Sequence, residues 1–118
     1  MKLNHLSLAV PDVSEAGTFL ETFFGFKTLS DKGNVIRVMQ GDEAFILVLT
    51  TLRSEDHGYP ADFHFGFILD MPEAVNSVYE RLLAAGHALQ RPPARIRNSL
   101  AFYFHMPGEI LMEVSCNL

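Results

Sequence analysis

Three side chains in this sequence have the chemistry to hold a divalent metal: His5, His64 and Glu113. A neutral imidazole offers a nitrogen lone pair and a carboxylate offers charge. Two of the first with one of the second bind a transition metal and leave coordination positions open. Calcium sites are richer in oxygen, and a closed structural zinc site uses four ligands. The ion expected here is therefore a single divalent iron(II), manganese, zinc or nickel, with small-molecule oxygens filling the open positions.

Each of the three reads as facing away from a packed surface. His5 lies in Leu3-Asn4-His5-Leu6-Ser7-Leu8-Ala9-Val10. Strand alternation puts Leu6, Leu8 and Val10 on one face, with His5 and Ser7 on the other. The pattern returns as Phe63-His64-Phe65-Gly66-Phe67-Ile68-Leu69-Asp70, where His64 stands as His5 did. Near the C-terminal end, Leu111, Glu113 and Ser115 share one face and Met112 and Val114 the other. With Met112 and Val114 toward a helix, Glu113 points into a concavity, where a carboxylate is costly unless something pairs with it.

Neighbouring positions supply substrate-facing candidates: Ser7, Val48, Tyr103, Arg95 and Arg97. Aligning Val48-Leu49-Thr50 with Glu113-Val114-Ser115 makes Val48 the counterpart of Glu113, and valine cannot ligate. Glu43, near a turn, falls on the opposite face by strand parity. The sequence thus offers three protein ligands rather than four. Tyr103, in the strand beside Glu113, can donate a hydrogen bond to a bound oxygen, and with Glu113 it is a candidate catalytic residue. Arg95 and Arg97 follow Pro92-Pro93 in an expected loop, where guanidinium groups can hold an anion.

The elements that must position these groups form a repeat. After the first strand, Pro11 and Asp12 open a helix whose stripe is Val13, Ala16, Leu20 and Phe23, widened by Phe19 and Phe24 and closed by Gly25. Three short strands follow, separated by turns at Asp31-Lys32-Gly33-Asn34 and Gly41-Asp42. A polar segment, 53–61, reads as a linker between module one, 1–52, and module two, 62–118. His64 follows His5 by 59 residues and Gly86 follows Gly25 by 61, which marks an internal duplication. The spacing predicts strands near 3–10, 26–30, 34–40, 44–51, 62–70, 87–91, 99–105 and 109–115. Helices are predicted near 12–24 and 72–85, the second burying Val75, Val78, Tyr79, Leu82 and Leu83. The fold class is α+β: paired βαβββ modules forming a curved eight-stranded open barrel with helices outside, in one domain over 1–118.

Composition narrows the function classes. The chain has 118 residues, 48% hydrophobic and 19% charged, with ten Phe, three Tyr and no Trp. That is enough apolar material for a core and too much for disorder. The net charge is −5 with scattered positives, which disfavours nucleic acid. No apolar run is long enough for a bilayer, and no secretory leader opens the chain. The single cysteine, Cys116, forms no internal disulfide, so a cytoplasmic location is expected.

The same residues resemble the vicinal oxygen chelate superfamily, which includes glyoxalase I, bleomycin-resistance proteins, extradiol dioxygenases and fosfomycin-resistance enzymes. The resemblance runs through residues 3–13, Phe19, Phe24-Gly25-Phe26, Phe102-Tyr103-Phe104, Pro107 and Glu113, and is essentially full length. It implies a glyoxalase-like fold with ligands from the first and last strands of each module, at His5, His64 and Glu113, with Val48 at the fourth position. It implies a homodimer and a metal-dependent lyase, isomerase, dioxygenase or thiol transferase acting on two neighbouring oxygens of a small molecule. The alternative it carries is a metal-free module that binds a drug or other small molecule. Val48 departs from glyoxalase I, which has a four-ligand site, and Pro92-Pro93-Ala94 departs from the Lys- and Ser-rich loop of the fosfomycin enzymes.

Overall fold

The computed structural model covers residues 1–118. Its backbone contacts divide the chain into two compact units, Met1–Gly58 and Tyr59–Leu118. Each is a βαβββ module with one helix on a four-stranded sheet, as the repeat predicts.

Unit one contains β1 (His5–Val10), α1 (Val13–Phe24), β2 (Lys27–Lys32), β3 (Ile36–Gln40) and β4 (Ile46–Thr51), in sheet order β1-β4-β3-β2. β1 runs parallel to β4, and the other pairs are antiparallel. Asp12 caps α1 by accepting the Glu15 backbone N–H at 3.0 Å, a bond that satisfies one of the helix's orphan donors. Gly25 ends the helix in the left-handed region at φ 69°. Val13, Ala16, Phe19 and Leu20 are buried beneath it, against Leu8, Val10, Met39, Leu47 and Leu49. Each large apolar side chain so buried contributes about 1.5–3 kcal/mol.

Unit two contains β5 (His64–Ile68), α2 (Pro72–Ala84), β6 (Ala94–Ile96), β7 (Ser99–His105) and β8 (Leu111–Asn117), in order β5-β8-β7-β6. β5 runs parallel to β8, while β7 is antiparallel to both β8 and β6. Pro72 begins α2, where its missing N–H leaves no bond unmade. Val75 and Leu82 are fully buried, with Tyr79 edge-on to Phe102 at 5.4 Å.

Three expectations are corrected. Leu83 is 51% exposed rather than part of the buried stripe, since the face through Val75 and Leu82 is the one that meets the sheet. The short strand expected at 87–91 lies instead at Ala94–Ile96, beyond Pro92-Pro93. Proline has no N–H to give a ladder, so pairing with β7 begins only after both prolines. Consequently Arg95 is on an edge strand, and Arg97 sits at φ 55° in the two-residue turn between β6 and β7, rather than both lying in a loop. Finally, a 3-10 turn at Asp42–Ala44 precedes β4, with Glu43 and Ala44 both left-handed at φ 54° and 60°.

Candidate metal centre and ligand face

Strand register sorts the chemistry of each unit into rows. On the face of the unit-two sheet away from α2, His64, Leu111 and His105 lie across from one another. The next row is Gly66, Glu113 and Tyr103. In unit one the equivalent rows are His5, Ile46 and Gln40, then Ser7, Val48 and Val38. Val48 therefore occupies the register position of Glu113, as the alignment predicts. Val38 occupies that of Tyr103, an equivalence that sequence reading missed because strand lengths alone do not reveal cross-strand partners.

Unit two brings three expected site residues together. Tyr103 donates its hydroxyl to Glu113 Oε2 at 2.8 Å. The same oxygen lies 3.4 Å from His64 Nε2. The His64 ring stands edge-on to Tyr103 with centroids 5.8 Å apart. The His64 side chain is 42% exposed and that of Glu113 27%, so the cluster opens to solvent. Burial, the hydrogen bond to Glu113 and the charge of that carboxylate, in that order, push the Tyr103 phenol above its ordinary pKa of 10.0, and the charge of Arg97 opposes them weakly.

The tautomer of His64 follows from its other nitrogen. Nδ1 is 2.9 Å from the carbonyl oxygen of Asp62. A carbonyl only accepts, so Nδ1 carries the proton and the neutral ring presents a lone pair at Nε2. A carboxylate oxygen of Glu113 lies 3.4 Å from that nitrogen. Two acceptors in such proximity repel unless a cation, either a proton or a metal, lies between them. The donor set fits a metal: with bonds of about 2.0–2.2 Å, ligand atoms 3.4 Å apart subtend roughly 110° at the ion, close to the tetrahedral angle. The imidazole's second nitrogen on a backbone carbonyl is the usual orienting contact of a ligating histidine.

Unit one holds His5, Ser7 and Val48. His5 Nδ1 lies 2.9 Å from Asn4 Oδ1, leaving Nε2 available in the same way. His5 and Asn4 line a concavity of about 570 Å³ with Glu43, Ala44, Ile46 and Val48. Glu43 is thus on the same concavity as His5, where strand parity had placed it opposite. The left-handed residues of the 3-10 turn break the alternation on which parity depends. Glu43 pairs with Lys2 at 3.1 Å in an exposed contact. Within each unit, no group of three or more His, Cys, Asp and Glu converges as a metal site.

The two arginines differ in setting. Arg95 Nε donates to the carbonyl of Arg97 at 3.2 Å, which ties it to its own hairpin. Arg97 is the one whose charge reaches Tyr103. No helix is long and apolar enough to cross a membrane.

Comparison with known proteins agrees with the fold. The profile of the Glyoxalase/Bleomycin resistance protein/Dioxygenase superfamily matches residues 2–114. The chain belongs to that superfamily. It is 33% identical over 102 residues to the uncharacterized protein PA2024 of Pseudomonas aeruginosa, covering 76% of this chain and 69% of that one. The structure of a possible glyoxalase from Bacillus cereus superposes with a TM-score of 0.88 at 35% identity, over 98% of this chain and 99% of the other. A lactoylglutathione lyase from Agrobacterium tumefaciens has a TM-score of 0.79 at 19% identity, over 98% and 92% of the two chains, a likeness of fold.

Proposed function

We propose that this chain is a metal-dependent enzyme of the vicinal oxygen chelate type, acting on a small molecule with two neighbouring oxygens. His64 and Glu113 would supply two ligands to one divalent ion, and His5, from this chain or from a second copy, the third. The observation that carries this reading is the lone pair of His64 Nε2 held 3.4 Å from Glu113 Oε2 by the Nδ1 contact to Asp62. The bound ion would act as a Lewis acid toward the substrate's paired oxygens. Tyr103 orients Glu113 through its hydroxyl, and its raised pKa makes the donating phenol still harder to ionise. Arg97 adds positive charge on the Tyr103 side, suited to an anionic or charge-developing substrate. The protein is expected to work as a homodimer in the cytoplasm.

The second reading, metal-free binding of a small molecule, is favoured by the unit-one concavity, where Ala44, Ile46 and Val48 present apolar surface beside His5. Metal titration separates the two. Chelator-treated protein should take up manganese, iron(II), zinc or nickel stoichiometrically, and less tightly in acid, because ligating imidazoles must be neutral. Glu113→Gln should weaken binding far more than Val48→Ala. Uptake of none of the four metals, or unchanged affinity in Glu113→Gln, would leave the binding-module reading as the better account.

A further inference from the structure

The Glu113 row contains a glycine where unit one has a side chain. Gly66 lies directly across from Glu113 on β5. A Cβ built at Gly66 would fall on the carbonyl oxygen of Glu113 and lie 2.9 Å from both its carbonyl carbon and its Cβ. No side chain fits there without moving β8. Because Gly66 and Glu113 share a face, a side chain at 66 would also fill the space over which Glu113 leans diagonally to His64, which pairs one row away with Leu111. Unit one provides the internal control. The equivalent pair is Ser7 and Val48, so the parallel pairing of the first and last strands tolerates a side chain as such. In this chain a glycine stands opposite the carboxylate and a serine opposite the valine.

We propose that Gly66 is a positioning residue for the candidate metal centre: its missing side chain lets β5 and β8 approach closely enough for Glu113 to reach His64. This rests on the functional reading above. It adds that the reach of Glu113 to His64 depends on a backbone contact on the neighbouring strand. The expected magnitude is that of other groups that orient ligands without touching the metal, a loss of about 10–100-fold in affinity.

The test is Gly66→Ala, read in two ways. Titration of chelator-treated protein with Mn2+ and with Zn2+ should show the 10–100-fold loss while far-ultraviolet circular dichroism stays that of wild type. In metal-free protein, the ring nitrogen resonances of His64 should move, since the carboxylate beside Nε2 has been displaced. Wild-type affinity together with unmoved His64 resonances would overturn the proposal. If wild type takes up neither metal, the metalloenzyme reading fails, and the His64 resonances of metal-free Gly66→Ala still decide the role of Gly66. If Gly66→Ala does not fold, the reciprocal change in unit one decides it. The carboxylate introduced by V48E should reach His5, and move its ring resonances, only when combined with S7G. Equal effects of V48E and S7G/V48E would show that the opposing side chain is irrelevant.

Discussion

Replacing Gly17 with alanine should destabilise the protein, although helix propensity alone argues the reverse. Gly17 is a buried position of α1 that faces β3. There the guanidinium of Arg37, a residue only 8% exposed, packs between helix and sheet, bonded to Asp31 at 2.9 Å and paired with Glu21 at 3.6 Å. A Cβ at position 17 would overlap Arg37 Nη1 and lie 2.7 Å from Cδ and 2.9 Å from Cζ. Since Cδ is involved, the whole side chain must leave its slot and not merely its tip. Alanine gains about 1 kcal/mol over glycine within a helix. Against this stand overpacking, about 1–3 kcal/mol, and loss of the charge-assisted bond to Asp31, about 1.5 kcal/mol at the low end because that carboxylate is 40% exposed. The balance is a destabilisation of about 2 kcal/mol, which lowers a urea midpoint by about 1 M. Arg37→Met should be nearly neutral. It frees the slot for a flexible apolar chain, removes the unpartnered buried Nε, and leaves two carboxylates in contact with water. In the double variant the alanine methyl no longer meets a guanidinium, so a cycle of the four proteins should show a coupling of about 2–3 kcal/mol. Gly17→Ala at or above wild-type stability, or an additive cycle, would refute the account of why this helix carries a glycine.

The Tyr103 phenol should titrate above the ordinary tyrosine range, and Glu113→Gln should bring it down, since the carboxylate both accepts its hydrogen bond and repels the phenolate. The neutral hydroxyl's stabilising contact is therefore complete below pH about 10 and lost as pH rises through the higher folded pKa. An ultraviolet phenolate titration referenced to Tyr103→Phe reads this, and no change in Glu113→Gln would contradict it. Asp12→Ala should cost about 1 kcal/mol in urea unfolding by removing the acceptor for the Glu15 N–H, whereas an effect within error would mean that water replaces the cap. Light scattering across micromolar concentrations should return the mass of a dimer, twice 13.2 kDa; a monomer throughout would refute the expected assembly.

What could be read without coordinates is what neighbouring residues along the chain determine. Asp12 and Gly25 bound α1 because a cap and a left-handed stop are local conformational preferences. Alternation along β1, β5 and β8 correctly set His5, His64 and Glu113 on the faces away from the helices, since successive strand residues must point to opposite sides. The period near 60 exposed the duplication, and through it the equivalence of Val48 and Glu113. Failures occurred where alternation is interrupted or where the partner is remote. Two left-handed residues turned Glu43 to the His5 concavity. Two prolines delayed β6 and moved Arg97 to a turn. The slot for Arg37 under Gly17, and the closeness of Gly66 to Glu113, join residues 20 and 47 positions apart. Only tertiary structure decides those, because a glycine's value there lies in the atoms that pack against it, and no periodicity in its own segment specifies what they are.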